Sequence, residues 1–591
     1  MTRVLEHVRS AWHNDRAGLM LPLSIYAASL LVFVQALRWG LPVGDETWAA
    51  DAIRPSAPLA VVYHNFLAEG WNSGWFWFKY PPFHAFLLTA AYLPYLLWAW
   101  VSGELHGFES QYPFGFADPE LALSRLAWIG RLISALMGAG VVTLVYACVV
   151  RSFGRCKAAA AACATALCYP MVFYAQTTNV EVPYLFWMMV ALLAAVRLLE
   201  GQDTRVWWML LGVGAALSLS TKELVAGVFV GLPPAMIGVY LAQRRPAASW
   251  LRGGCAAALA FAAAIAVANN VFFNASGFTH RIGFLTQTLP PEIALRYAPY
   301  YFPIDLGTAH GAAAELDQLR MAGTRLLQSL GVPTSLLALA GVVIAMRAAP
   351  AWTALLLSIA LAYYVVSVRA MLSLSLRYVM PLTLIATVFA GISLGTLLEG
   401  GTAARWRRPL AALLLLYLFA YGWDVNRMMK ADGRYQAENW IAAHAADGAR
   451  IEVYQNPTYL PRFPGRVNVD SVAFEQRTSE AFRERMPDFV VLSSAGLSGV
   501  SVQYKQDWHE SGDTERGFVE GKKSAAGVVM TYQRQANVDF LAALADGSLG
   551  YHEAARFDVD PWIPRTLIQS LNPEILIYRR GAGAGVESKR E

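Results

Sequence analysis

Charged residues are scarce in this chain: they make up 15% of its 591 residues, whereas hydrophobic residues make up 56%. An average soluble domain carries about 25% charged residues, and the apolar residues here are grouped in blocks of about 20. The composition therefore excludes an ordinary soluble protein and predicts a polytopic membrane protein. The net charge of +5 is modest and does not suggest a nucleic acid partner.

Cysteine is also rare, with five residues that all lie in or beside apolar blocks. Their spacing matches neither a zinc site nor a disulfide framework, so we interpret them as packing residues. The histidines near the C-terminus likewise show no metal spacing. No cofactor is predicted with certainty, and a divalent cation stays an open alternative because the sequence offers acidic residues but no decisive ligand set.

Eleven apolar blocks are candidate membrane spans. They lie near residues 19–38, 126–150, 156–175, 183–199, 206–221, 224–243, 253–273, 326–346, 351–368, 379–398 and 409–424. The basic N-terminus precedes the first block without a small-residue cleavage site, which predicts a retained signal anchor. Beyond residue 425 the composition becomes mixed and polar, and a soluble domain is expected over residues 426–591.

A twelfth apolar stretch, KYPPFHAFLLTAAYLPYLLWAW from Lys79 to Trp100, is predicted to lie along the interface. We expect its prolines to leave about eleven helical residues, or about 17 Å, too short for a core of about 30 Å. If the stretch does not cross, every short basic loop falls on the cytoplasmic side. The outer side then carries a first loop over residues 40–124 and a second over 274–325, and a kinked span is the alternative.

Two acidic motifs fall at the outer ends of spans and are candidate catalytic groups. GDETW contains Asp45 and Glu46, and NVEVP contains Glu181 at the same predicted depth. A carboxylate held in a cleft there could act as a general base. The alternatives are that Asp45 caps a short helix, TWAADAI, and that these carboxylates are simply hydrated.

Basic residues on the predicted outer side are candidates for binding a phosphate. Lys222 in LSTKEL lies between two apolar blocks, and Arg377 with Tyr378 precedes the span at 379–398. Lys79, Arg281 and Arg296 lie on the same side. A lipid-phosphate donor needs such cations, although snorkelling to the interface is the alternative for Lys222.

The order of five motifs resembles the polytopic glycosyltransferases of the GT-C superfamily, most closely the protein mannosyltransferase and aminoarabinose transferase branch. The motifs are GDETWAADAI, KYPPFHAFLL, NVEVPYLFW, ALSLSTKEL and LRYVMPL, and the resemblance covers roughly residues 15–425. It agrees with a mainly α polytopic membrane helix bundle, for which the apolar blocks predict about eleven spans, and it implies juxtamembrane helices.

The resemblance also implies a reaction. Such enzymes move a sugar from a polyprenyl-phosphate carrier to an acceptor on the outer side, usually with inversion. Asp45 would be the general base, with Glu46 beside it and Glu181 in the second acidic motif. The substrate-binding residues would be Lys222, Arg377, Tyr378, Lys79, His84 and Arg281.

Two departures from the family pattern affect this assignment. The second acidic motif usually carries Asp where this chain has Glu181, and Gly commonly follows the Thr-Lys pair where this chain has Glu223. We expect Glu223 to offset part of the positive charge of Lys222. The donor site is therefore predicted to differ from that of the family.

The C-terminal residues 426–591 are predicted to form a small α/β domain outside the cytoplasm. GRYQAENWIAAHAAD is predicted as a helix, and ARIEVYQN, DFVVLSS and EILIYRR as strands. We expect this domain to cover the donor site or to help select the acceptor. The expected location is a bacterial inner membrane with the site in the periplasm.

Two other classes of function remain open at this point. A secondary transporter or lipid-linked-sugar flippase also needs many spans and intramembrane charges, but should show inverted repeats and broken spans. A noncatalytic assembly factor would not need Asp45. The donor sugar and the acceptor, whether lipid, glycan or protein, cannot be read from short motifs.

Overall fold

A computed structural model describes residues 16–41, 45–68, 70–107, 109–290, 292–293, 296, 311–371, 374–399, 405–473, 476–495, 500–504, 516–524 and 527–581. The N-terminal basic segment of the predicted signal anchor, before Arg16, and residues 297–310 in the predicted second outer loop lie outside these residues. The chain divides into two compact units. The helical unit comprises Met1–Arg38, Ala52–Pro303 and Met321–Asn426, and the sheet unit comprises Trp39–Asp51, Ile304–Arg320 and Arg427–Glu591.

The chain up to Lys430 is mainly helical. Its α-helices are α1 (Arg16–Phe33), α2 (Ala57–Tyr63), α3 (Phe83–Val101), α4 (Pro119–Phe153), α5 (Arg155–Ala166), α6 (Tyr169–Tyr174), α7 (Glu181–Leu199), α8 (Arg205–Leu219), α9 (Ala226–Ala242), α10 (Ala247–Ala268), α11 (Ala275–Leu285), α12 (Ala312–Leu330), α13 (Val332–Ala348), α14 (Pro350–Tyr363), α15 (Met380–Leu398) and α16 (Arg407–Lys430). Short 3₁₀ turns at Glu223–Val225 and Leu376–Val379 precede α9 and α15.

Within the described residues, eight helices are long and apolar enough to cross a membrane. Helices α12 and α13 form a ninth candidate if they are one span bent by 108°. Seven of the eleven predicted spans coincide with these helices, and the span at 326–346 lies in the bent pair. The predicted spans at 19–38, 156–175 and 206–221 correspond to shorter or broken helices, so the count of eleven is not confirmed.

Helix α3 corrects one step of the sequence argument, because it runs unbroken through Pro94 for 19 residues. At 1.5 Å per residue it is about 28 Å long, and its length alone no longer argues against crossing. Its buried face carries His84, Leu88 and Tyr92, whereas Leu97 and Trp98 on other sides are at least half exposed. His84 and Tyr92 therefore pack inside the protein together with Leu88, whereas Leu97 and Trp98 point outward.

Close packing in the helical unit depends on small residues. A Cβ atom on Gly391 of α15 would lie 2.1 Å from the Cα of Ala161 in α5, so only glycine permits this approach. Such small-residue contacts are a usual way for membrane helices to pack. The buried Arg131 of α4 donates a hydrogen bond to the Leu37 carbonyl at 2.8 Å, which ties α4 to the chain after α1.

The sheet unit is mixed α/β, as predicted. Its helices are α17 (Gly433–His444), α18 (Ser479–Arg485) and α19 (Gln535–Ala545), and its strands are β1 (Arg450–Val453), β2 (Asn468–Ser471), β3 (Phe489–Ser493), β4 (Val500–Tyr504), β5 (Arg516–Ser524), β6 (Gly527–Arg534), β7 (Tyr551–Phe557) and β8 (Ile575–Arg580). One sheet has the order β2-β1-β3-β8-β7, and the other has the order β4-β6-β5.

The five-stranded sheet has a hydrophobic core on each face. Strand β1 pairs parallel with β2 and β3, whereas β8 pairs antiparallel with β3 and β7. Ile441 of α17 packs with Ile451 and Ile577 on one face, and Phe482 packs with Phe540 on the other. Every residue of β3 is buried, as expected for a strand covered on both sides.

Candidate functional site

The centre of the helical unit contains a buried ion pair between Glu181 and Lys222. The Lys222 ammonium donates to Glu181 Oε1 at 2.6 Å, and their side chains are 9% and 0% exposed, respectively. Glu181 begins α7, where a carboxylate interacts favourably with the helix N-terminus and Pro183 is tolerated in the first turn. Lys222 precedes the 3₁₀ turn after α8. The snorkelling alternative for Lys222 is therefore wrong.

Aromatic rings surround the Lys222 ammonium. Its nitrogen lies 5.8 Å from the ring centre of Tyr184 and 5.5 Å from that of Tyr378. The Tyr363 hydroxyl donates to the Tyr378 carbonyl at 2.7 Å, which holds the 3₁₀ turn before α15 in place. A cation at these distances is attracted by the negative faces of the rings.

Two buried polar atoms beside this pair have no hydrogen-bond partner within the described part of the chain. They are Oε2 of Glu181 and the hydroxyl of Tyr184. Most buried polar groups in proteins are hydrogen bonded, so each such atom needs an explanation. Both atoms can accept a hydrogen bond from a ligand, and the tyrosine hydroxyl can also donate one.

Glu223, the departure from the family pattern, does not pair with Lys222. It accepts a hydrogen bond from Nε of Arg281 at 2.5 Å, and Arg281 also donates to the carbonyl of Trp77. Arg281 is 6% exposed. The expectation that Glu223 offsets the charge of Lys222 is therefore wrong in this geometry, because Arg281 neutralises it.

The other predicted substrate-binding residues of the helical unit are more dispersed. Arg377 is half-buried and donates from Nη2 to the Tyr378 hydroxyl at 2.8 Å, which places it beside the Lys222 cluster. Lys79 lies 3.4 Å from the Ala52 carbonyl and 5.7 Å from the ring centre of Tyr80. His84 lies on the buried face of α3 and is 1% exposed, so its side chain does not reach solvent. Their roles stay predictions.

The first acidic motif belongs to the sheet unit. The segment Trp39–Asp51, which we call the acidic segment, is grouped with Arg427–Glu591. Trp39 Nε1 donates to Asp432 Oδ2 at 2.9 Å, and the Gly40 amide donates to the Tyr435 hydroxyl at 3.0 Å. Gly40 has a φ of +49°, and a Cβ there would lie 2.4 Å from the Trp48 ring, so glycine is needed.

Trp48 fixes the other end of the acidic segment between two arginines. The guanidinium of the fully buried Arg434 lies 4.0 Å from one Trp48 ring centre, and that of Arg462 lies 5.4 Å away. Arg434 makes a two-pronged ion pair with Asp432 at 2.9 and 2.7 Å. Arg462 pairs with Glu438 in the same way, at 2.7 Å for both bonds.

Asp45 and Glu46 lie between these two anchors and are both half-buried. The described residues after Asp45 form turns and no helix, so the alternative in which Asp45 caps a short helix is wrong. A cavity of about 280 Å³ lies against this segment within the sheet unit. Glu46, Thr47 and Trp48 form one wall, and residues 453–471 contribute the others.

A metal site is not built by the described residues. No group of three or more His, Cys, Asp or Glu side chains in this part of the chain is placed to hold a metal ion. The divalent cation that the sequence left open therefore has no preformed ligand cluster among them.

The sequence did not single out Arg434, Arg462 or Trp48. Trp48 stands inside the GDETW motif, and Arg434 stands inside the predicted helix GRYQAENWIAAHAAD. Trp48 and Arg434 contact each other although they lie near opposite ends of the chain. The neighbouring contact between Trp39 and Asp432 joins residues 393 positions apart. No local pattern reports a contact over that separation.

A family model covers part of the chain. Residues 121–273 match the model described as dolichyl-phosphate-mannose-protein mannosyltransferase. Glu181 and Lys222 lie within the match, and the predicted resemblance to this group of membrane glycosyltransferases is confirmed there. Asp45, Glu46 and Arg377 lie outside it. The comparison with curated protein sequences found no match.

Three solved structures are similar to the chain at low sequence identity. ArnT from Cupriavidus metallidurans bound to undecaprenyl phosphate is 14% identical over 86% of this chain and 97% of its own, with a TM-score of 0.42. The apo state of that protein is 14% identical over 88% and 98%, with a TM-score of 0.40. The Archaeoglobus fulgidus oligosaccharyltransferase in the apo form is 13% identical over 83% and 71%, with a TM-score of 0.41.

Proposed function

We propose that this protein is a membrane glycosyltransferase that transfers a sugar from a polyprenyl-phosphate carrier to an acceptor at the periplasmic face, with inversion. The observation that carries the proposal is the buried Lys222–Glu181 pair, which lies within the residues that match the mannosyltransferase family model. Two tyrosine rings lie beside the ammonium, and Glu181 Oε2 and the Tyr184 hydroxyl have no hydrogen-bond partner among the described residues. This is a polar site in an apolar protein interior.

Lys222 is proposed to bind the phosphate of the donor. A phosphate oxygen competes with Glu181 for the ammonium, which acts as a point charge and can turn from one anion to the other. Arg377 lies beside the same Tyr378 ring and offers a planar guanidinium that can bind two phosphate oxygens. Both cations stabilise the negative charge that develops on the phosphate as it leaves.

Asp45 is proposed to act as the general base. Its carboxylate takes the proton of the acceptor hydroxyl while that oxygen attacks the anomeric carbon of the sugar. One C–O bond to the acceptor forms as the C–O bond to the phosphate breaks, and the electron pair leaves with the phosphate. A single displacement of this kind has no covalent intermediate and inverts the anomeric centre.

Replacing Asp45 with Asn tests this proposal. We expect transfer by membranes that carry Asp45→Asn to fall by about 10²- to 10⁴-fold, the usual contribution of a general base. Mass analysis of envelope glycans and glycolipids in cells with and without the protein identifies the product to be followed. Its rate of formation is then measured for each variant.

Asp51→Asn is the matched control. Asp51 is an exposed carboxylate of the same segment with a φ of +60°, which asparagine also adopts readily. Its transfer rate is expected to equal that of the wild type. Equal transfer by Asp45→Asn and wild-type membranes would contradict the proposal and would favour an assembly factor or a transporter.

A further inference from the structure

The cavity beside the acidic segment has the size and lining of a small-molecule site. Its volume of about 280 Å³ is near the lower end of the range for ligand pockets, which begins at about 300 Å³. Phe463 and Trp48 supply aromatic surface, and Gln455, Thr47 and Ser471 supply hydrogen-bonding groups. Aromatic walls with a few polar groups suit a ring that has an apolar face and hydroxyls at its edge.

The charges of the lining argue against an anionic ligand. Arg462 is the cation among the residues that line the cavity, and both of its bonds to Glu438 are 2.7 Å long. Its charge is therefore already neutralised by a carboxylate. Glu46 also lines the wall. A phosphate would therefore meet one lining cation whose charge is already balanced by Glu438, whereas an uncharged polyhydroxyl compound would meet the hydrogen-bonding groups of Gln455, Thr47 and Ser471.

Gln455 is a buried polar residue whose hydrogen-bonding capacity is only partly used by the described residues. Its side chain is 7% exposed and lines both this cavity and a smaller one that Asn537 also lines, and its amide nitrogen donates to the Ser493 carbonyl at 3.3 Å. Its amide oxygen, however, has no hydrogen-bond partner within the described residues. A buried carbonyl oxygen without a partner costs free energy, and a ligand hydroxyl that donates to it would remove that cost.

We propose that this cavity binds a sugar ring of the acceptor. The assignment to the acceptor rests on the proposed function, in which Asp45 activates the acceptor hydroxyl, because Glu46 in the cavity wall is the next residue of the chain. The C-terminal domain thereby helps to select the acceptor. Gln455, Arg462 and Phe463 line the cavity from this domain, and Glu46 and Trp48 line it from the acidic segment.

Blocking the cavity tests this inference on the purified full-length protein. Ser471 and Val469 line the cavity from β2, whereas Asp470 between them points to the opposite side of the strand. Ser471→Trp is designed to fill the cavity, and Asp470→Trp places the same side chain on the exposed opposite side. Asp470 makes a solvent-exposed 3.5 Å pair with Arg450, and such exposed pairs contribute little, so its replacement is expected to have little effect on stability.

The probes are methyl glycosides of glucose, galactose, mannose, rhamnose and N-acetylglucosamine, and binding is followed by saturation-transfer NMR. At least one glycoside is expected to bind to the wild type, to Asp45→Asn and to Asp470→Trp with equal affinity. Ser471→Trp should raise its Kd by at least about tenfold. Gln455→Leu, which removes only the amide, should raise it roughly three- to tenfold through the lost hydrogen bond.

Three results would overturn the inference. They are that no glycoside binds, that inorganic phosphate displaces a bound glycoside, or that Ser471→Trp and Gln455→Leu bind the glycoside as the wild type does.

Transfer assays on the same variants separate this inference from the proposed function. If Asp45→Asn transfers normally while glycoside binding depends on Ser471, the catalytic proposal fails and the sugar site stands. If Asp45→Asn is inactive while Ser471→Trp retains both binding and transfer, the opposite holds.

Discussion

At the scale of single residues, the Glu181–Lys222 pair is better explained by ligand binding than by stability. A buried ion pair often contributes little net stability, because taking both charges out of water costs as much as their attraction returns. A structural pair is also expected to have all its polar atoms bonded, whereas Glu181 Oε2 and the Tyr184 hydroxyl have no partner within the described residues. The proposed function accounts for these atoms, because a bound substrate can form hydrogen bonds with both.

Single and double substitutions separate the two roles of this pair. Glu181→Gln or Lys222→Met should each lower the free energy of unfolding by about 3–5 kcal/mol, because either leaves one buried charge without its partner. The double variant should be more stable than either single variant but inactive in transfer, because the phosphate-binding cation is absent. Thermal unfolding of the purified protein in detergent and transfer by membranes measure the two effects.

Glu399→Gln serves as the control for this series. Glu399 pairs with Lys157, and its side chain is 39% exposed, so removing this partner should change the free energy of unfolding by less than about 1 kcal/mol. A double variant that is both stable and fully active would show that the buried pair has no part in transfer.

Motif resemblance identified Glu181 and Lys222 but not their contact. The two residues are 41 positions apart, and Arg281 and Glu223 are 58 apart. Which acid neutralises which base depends on how α7, α8 and α11 pack, and nothing in the motifs fixes that packing. The sequence therefore singled out both residues as candidates but did not predict their pairing.

At the scale of elements, side chains hold the acidic segment, whose described residues form turns rather than a helix or strand. Trp39 and Trp48 anchor its ends, and Arg434 contacts both rings, at 5.4 and 4.0 Å. Asp432 connects this arrangement by accepting from Trp39 and from Arg434. The conformation of the Asp45–Glu46 stretch therefore depends on the C-terminal domain.

Trp48→Ala should release this anchor. The loss of a buried tryptophan is expected to lower the free energy of unfolding of the sheet unit by about 3–5 kcal/mol and to reduce transfer, because Asp45 loses its fixed position. Hydrogen exchange of the amides of residues 45–51 measures the release directly. Trp71→Ala is the control, since Trp71 is 74% exposed and lies in the helical unit. Unchanged exchange in Trp48→Ala would contradict this role.

Local patterns predicted the regular elements better than their arrangement. Helix α17 and strands β1, β3 and β8 are confirmed because their apolar residues follow the helical or strand period. The short strand β2 is exposed along its whole length and has no such period. The unbroken helix through Pro94 in α3 was missed, because proline disfavours a helix interior without preventing it.

At the scale of the whole chain, motifs that follow one another in the sequence fall into different compact units. The resemblance spans residues 15–425 as one body, but the structure assigns the acidic segment to the sheet unit and the following residues to the helical unit. Composition separated a membrane part from a soluble part and predicted both kinds of structure. It could not show that an early segment packs on the domain at the other end of the chain.

The predicted path of the chain across the membrane can be tested at the loop after α3. If α3 lies along the interface, Tyr112, which is exposed, faces the periplasm, and the exposed Gln243 faces the cytoplasm. In a background that lacks the five native cysteines, Tyr112→Cys should react with a membrane-impermeant maleimide in cells whose outer membrane alone is permeabilised. Gln243→Cys should react only after the inner membrane is opened. Helix α3 is long enough to cross, so protection of Tyr112→Cys in the first condition would mean that α3 spans the membrane. NVEVP would then lie on the opposite side of the membrane from GDETW. That result would rule out a common role of the two motifs in transfer.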